Sequence, residues 1–142
     1  MANLRPLIRV RKHAIEQKQK HLADLYRQAE EQAAERKRLA EEFAHESRTI
    51  KEMGADMLSF FGAYAKAVDR RMEEIEAEIT RLESRILVAQ DDMRQAYADL
   101  RRIEIVQENR DRQEEEERQK KEAQELDEIG VTRFRTFQEE EA

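Results

Sequence analysis

The stretch Val68–Ile103, VDRRMEEIEAEITRLESRILVAQDDMRQAYADLRRI, decides the fold. Its apolar residues step along the chain by four, then three, without a miss. They are Val68, Met72, Ile75, Ile79, Leu82, Ile86, Ala89, Met93, Ala96, Leu100 and Ile103. A stripe that repeats every seven residues keeps facing a neighbouring helix, which is the mark of a coiled coil. The period-two alternation of a half-buried strand is absent.

Working outward, composition agrees with the stripe. Of 142 residues, 42% are charged, and the formal net charge is -6. Mean hydropathy is -1.01. So little apolar surface inside so much charge excludes an ordinary compact globule and leaves disorder or a coiled coil. The regular seam selects the coiled coil. Three glycines and one proline allow few turns. Cysteine is absent, so disulfides and thiolate metal sites are excluded, and a reducing compartment fits. No apolar run is long enough for a transmembrane helix. The opening MANLRPLIRVRKHAI is broken by Arg5, Arg9, Arg11 and Lys12, unlike a secretory signal. It is Arg-rich and acid-free, as organelle transit peptides are, but contains no Ser or Thr.

A first helix is expected to begin near Pro6, a residue suited to an early helical position. Its seam runs Ile8, Ile15, Leu22, Ala29, Arg36, Phe43, Ile50 and Met57. The companion positions, Arg11, Lys18, Leu25, Gln32, Leu39, Glu46 and Met53, are more polar. Tyr26, Ala33 and Ala40 widen the apolar face. Charged stems therefore lie across a weakly packing helix. Gly54 is expected to close this helix in the left-handed conformation, and Asp56 or Ser59 to cap the next. Met57, Leu58, Phe60 and Phe61 are expected to plug the end of a hairpin. One unbroken rod is the rival, since two glycines inside it would cost only about 1 kcal/mol each. A reversal near position 58 puts Ile8 opposite Glu108. There the second seam turns polar, through Gln107, Arg110, Glu114 and Glu117. The stripe ends where its partner runs out, a coincidence that paired parallel rods leave unexplained.

Beyond the hairpin, QENRDRQEEEERQKKEAQELDEIG continues as a helix without a seam. Glu114 with Arg118, Glu116 with Lys120 and Glu117 with Lys121 are acid-before-base pairs at the favourable four-residue spacing. Each contributes about 0.2–0.5 kcal/mol. Gly130 is expected to stop the helix, with Val131 touching Leu126 across the cap. The second helix then spans roughly 100 Å. The resulting expectation is all-α: a long antiparallel two-helix coiled-coil hairpin with a protruding C-terminal helix. It forms a single unit over 1–142, with helix 1 about 6–53, a turn about 54–62, helix 2 about 63–129 and a tail at 130–142.

Catalytic constellations are missing: no Gly-rich phosphate loop, no GxSxG, no HExxH. His13, His21 and His45 are scattered and read as solvated or seam-edge residues. The Glu pairs read as a solvated face, because nothing buries one and raises its pKa. No enzyme activity, cofactor or metal site is expected. Two patches rise above this background. The opening carries Arg5, Arg9, Arg11, Lys12, Lys18 and Lys20 against Glu16. An acidic chain overall argues against nucleic acid as a partner. Leu4, Leu7, Ile8 and Ile15 make too narrow an apolar face for direct membrane binding. The far end, EAQELDEIGVTRFRTFQEEEA, holds Leu126, Ile129, Val131, Phe134 and Phe137 without a partner in the hairpin. An apolar stripe without a home points to an external groove.

These two ends carry a resemblance. Leu7-Ile8-Arg9-Val10-Arg11-Lys12, Tyr64-Ala65-Lys66-Ala67 and Glu125-Leu126-Asp127-Glu128-Ile129-Gly130 resemble FliJ, the small coiled-coil family of the flagellar type III export apparatus, in its alphaproteobacterial form. The ending also resembles the C-terminal helix of the rotary ATP synthase gamma subunit. The resemblance implies a non-enzymatic central stalk whose free ends insert in the export ATPase ring and promote its assembly. It implies further contacts with the export gate membrane protein and export chaperones, in the service of flagellum biogenesis, motility and chemotaxis. The implied place is cytoplasmic, peripheral at the inner membrane at the flagellar base. The implied ATPase-facing residues are Leu7, Ile8, Arg9 and Arg11 with Leu126, Asp127, Glu128 and Arg133. The tail after Gly130, with Phe134, Phe137 and the closing acidic run, departs from the family pattern. A self-associating structural coiled coil and a secretion chaperone are the alternative readings.

Overall fold

The computed structural model describes residues 3–141. Met1, Ala2 and Ala142, the outermost residues of the unit expected over 1–142, lie outside the described residues. Two helices make up the fold: α1, Arg5–Met53, and α2, Leu58–Glu141, joined by Gly54 and a single 3-10 turn at Ala55–Met57. No strand occurs among the described residues. The chain is an all-α helical hairpin, and the unbroken-rod alternative is excluded. Chain contacts divide it into two compact units, residues 13–97 and residues 3–12 with 98–141.

In the first unit, the seam of α2 packs antiparallel against α1. Val68, Ile75, Leu82 and Ile86 are buried, and Met72, Ile79, Ala89, Met93 and Ala96 are half-buried. Leu25, Leu82 and Ile86 form the centre of the core, with Leu22, Ala29 and Ala89 against them. On α1 only Ile15 and Leu25 are fully buried. Arg36, at a seam position, turns outward to Glu76 at 2.7 Å. Tyr26, Ala33 and Ala40 do not widen the buried face, for all three are exposed. The Tyr26 hydroxyl instead accepts from Gln90 at 2.5 Å.

The turn is tighter than expected. Gly54 has φ 102° and ψ 179°, a glycine-only conformation rather than the left-handed helical one. Its carbonyl accepts from the Met57 N–H at 3.4 Å. That conformation lets the chain reverse within one 3-10 turn, so α2 starts at Leu58 and takes in Gly62. Asp56 lies inside the turn, which has no side-chain cap. The register is close to the expected one: Arg5 with Asp111, Gln19 with Tyr97 and Tyr26 with Gln90 centre on residue 58, and Lys18 with Asp92 and Arg36 with Glu76 on residues 55–56.

The expected plug is also different. Met57, Leu58 and Phe60 are exposed, Phe60 by 74%. Only Phe61 turns inward, where its ring stacks on Phe43 at 5.5 Å, with Tyr64 beside both. Once Phe61 already sits on α2, Phe60 must point about 100° away from it and into solvent. A hydrogen bond to Glu46, helped by partial burial, pushes the Tyr64 phenol above its ordinary pKa.

In the second unit, Leu100 is buried, Ile103 half-buried, and Gln107 buried where the seam becomes polar. From Arg112 to Glu141 every residue is exposed. Gly130 does not stop α2, which runs to Glu141. Gly130 has no positive φ, and one exposed helical glycine costs only about 1 kcal/mol. No proline follows it, and hydroxyls of Thr132 and Thr136 bond back to the carbonyls of Glu128 and Thr132 without breaking the helix. The tail expected at 130–142 is therefore helical through Glu141, and Val131 does not fold back in a cap. Arg118 pairs with Glu115, three residues before it, rather than with Glu114.

Candidate functional site

The candidate site lies in the second unit and is built around the start of α1. The Leu4 carbonyl accepts the first helical bond, from the Ile8 N–H at 2.9 Å. The free N–H groups of this helix start find side chains. Asn3 Oδ1 accepts from the Arg5 N–H at 3.0 Å, and Gln107 Oε1 accepts from the Leu4 N–H at 2.9 Å. Gln107 Nε2 donates to Asp111 Oδ1 at 2.8 Å. Arg5 Nη2 donates to both Asp111 oxygens at 3.2 Å. These groups form a clasp holding the start of α1 to α2. In the sequence Gln107 marks only the end of the apolar stripe. Its seam position, directly after Leu100 and Ile103, was the available signal.

Beyond the clasp, α1 presents cations. Among the described residues, Arg9, Arg11 and Lys12 make no ion pair. Some arginines elsewhere on the helices are matched locally: Arg27 with Asp24, Arg38 with Glu35 and Glu42, Arg81 with Glu78. Leu7 is 39% exposed and Ile8 is half-buried against the hairpin. Of the expected site residues on α1, Arg9 and Arg11 thus stand free in solvent, while Ile8 packs.

The other expected residues, Leu126, Asp127, Glu128 and Arg133, are exposed on the last part of α2. Leu126, Ile129, Gly130, Arg133, Phe134 and Phe137 share one helix face, at i, i+3, i+4, i+7, i+8 and i+11. Leu126 is 68% and Phe134 61% exposed. The two groups of expected residues belong to one unit but do not touch. Asp111 is held by α1, and Leu126 lies 15 residues farther along α2, about 22 Å of helical rise. Between them Glu115 bonds to Arg118, whose guanidinium holds that carboxyl below its ordinary pKa.

This arrangement is suited to gripping. It offers free cations, an uncovered apolar helix face and a hydrogen-bonded helix start. Among the described residues no cluster of three His, Asp or Glu gathers to hold a metal ion. No helix of the described residues is long and apolar enough to cross a membrane. Residues 1–139 match the family described as "FliJ: Flagellar FliJ protein". No curated protein and no solved structure matches the chain. The chain belongs to the flagellar FliJ protein family and is thereby a flagellar export-related protein.

Proposed function

We propose that this chain is a non-enzymatic central stalk, or coupling protein, of the flagellar type III export ATPase complex. It promotes assembly of the ATPase ring and thereby export. The observation that carries this reading is the second unit: the unpaired cations of α1 and the uncovered apolar face of α2 belong to it together. A stalk needs stiffness and gripping ends, and both are present in that unit. Leu7, Ile8, Arg9 and Arg11, with Leu126, Asp127, Glu128 and Arg133, make the contacts with the ring. Ile8 does so through the helix it anchors, since it is itself half-buried.

The export gate membrane protein and export chaperones are further partners. The place of action is the cytoplasmic side of the inner membrane at the flagellar base, reached through those partners. Nucleic acid is not a partner, because the net charge is -6. The secretion-chaperone reading is weaker. In the first unit the flank exposes Val88, but Lys18, Arg85, Asp91 and Asp92 line the same groove. Unfolded cargo would need a broader apolar surface.

The test is stimulation of the export ATPase by the full chain and by a chain lacking residues 124–142. Stimulation is expected to disappear in the shortened chain, while helical circular dichroism per residue stays close to that of the full chain. Undiminished stimulation by the shortened chain would sink the proposal.

A further inference from the structure

Gly130 is unexplained by the fold around it. It lies inside α2, without positive φ, where a glycine costs about 1 kcal/mol relative to alanine. A Cβ added there would meet nothing within 4 Å. The glycine serves neither a turn nor a close approach within the chain. It does sit in the middle of the uncovered apolar face, with Leu126 one turn before it and Phe134 one turn after. A small residue at the centre of an exposed face is what a second helix crossing at that point requires.

The charges around Gly130 say which helix. Acids and bases are arranged with opposite sign at equal distances on either side. Asp127 mirrors Arg133 and Lys120 mirrors Glu140 along the flanks of this face, while Glu125, Arg135, Lys121 and Glu139 lie about 140–180° away, on the opposite side of the helix. Apolar residues mirror apolar ones: Leu126 with Phe134, Ile129 with Val131, Ala123 with Phe137. A second copy of the same segment, laid antiparallel across Gly130, therefore brings opposite charges to the same level and apolar groups to face each other. A parallel second copy would bring like charges level. Such a self-complementary patch is the signature of a two-fold interface.

We infer that two copies of this chain pair antiparallel through residues 119–141 of α2, crossing at Gly130 with Leu126, Ile129, Phe134 and Phe137 in the contact. The face is the one assigned above to the ATPase ring, so the pairing regulates that site: the second copy must leave before the ring is gripped. The pairing itself is a property of the isolated chain and does not depend on the ring. One short helix pair buries less than a standard interface, which sets the affinity in the micromolar range rather than tighter.

Sedimentation equilibrium of the full chain up to concentrations of order 100 µM is the first measurement. A reversible dimer of the 16.9 kDa chain is expected. A monomer throughout overturns the pairing while leaving the ring contact standing. The Leu126→Glu, Phe134→Glu double variant is expected to be monomeric with its helix content intact, and a dimer that survives it overturns the assigned face. Gly130→Leu favours the helix yet is expected to weaken the dimer at least tenfold, and equal or tighter pairing overturns the close crossing. Because the chain has no cysteine, Gln119→Cys gives a single spin label. Antiparallel pairing predicts a label separation of about 35 Å, from 22 residues of rise. A separation near 10 Å would mean parallel pairing and would overturn the inference. ATPase stimulation, measured separately, reports on the ring contact alone.

Discussion

Gly54 carries the only positive φ among the described residues. At φ 102° and ψ 179° it occupies a region that side chains make costly, although a Cβ would meet nothing within 4 Å. The penalty for Gly54→Ala is therefore entirely one of backbone, of about 1–3 kcal/mol. Urea unfolding should show that loss, and an unchanged midpoint would mean the turn can reverse another way. Gln107 is the other decisive residue. Gln107→Ala removes the acceptor for the Leu4 N–H and the donor to Asp111, and is expected to cost about 1 kcal/mol. Hydrogen exchange should quicken at residues 4–12 while the amides facing Leu25 and Leu82 keep their protection. The sequence shows Gly54 as the glycine that ends α1, but neither its exact conformation nor the hydrogen bonds of Gln107 is legible there. A glycine conformation depends on how the chain must reverse, and a buried glutamine on which backbone group happens to face it.

At the level of the helices, legibility follows the strength of the burial. The α2 seam is legible because each seam position from Val68 to Ile103 is at least half-buried. The α1 seam was read as poor, and only Ile15 and Leu25 are fully covered. The end of α2 lies beyond Gly130, at Glu141, because an exposed glycine weakens a helix by only about 1 kcal/mol and cannot end it unaided. The aromatic contact of Phe61 with Phe43 was missed because it depends on a register that the turn length sets. The seam makes a sharp contrast available on one helix. Leu82→Ala, at 1% exposure, is expected to destabilise by about 2–5 kcal/mol. Val88→Ala, at 70% exposure, should stay within about 0.5 kcal/mol. Thermal unfolding of the two variants tests whether the four-three stepping marks the load on the fold.

For the molecule as a whole, membership of the family and the hairpin were both legible, since weak motifs and strong periodicity pointed the same way. The candidate site was legible as two unhoused ends, but not as a clasped root with an uncovered face about 22 Å farther along α2. The antiparallel arrangement has a cost for any change of length. Removing residues 22–28 alone would slide Lys18 seven residues nearer the turn, from Asp92 to Arg85, and exchange an ion pair for a repulsion. Removing 83–89 as well restores the match. The doubly shortened chain should melt cooperatively, and the singly shortened one at markedly lower temperature. Insertions and deletions in this part of the gene are thus tolerated as mirror-image pairs, a whole heptad on each arm, so the two arms can change length only in step with one another.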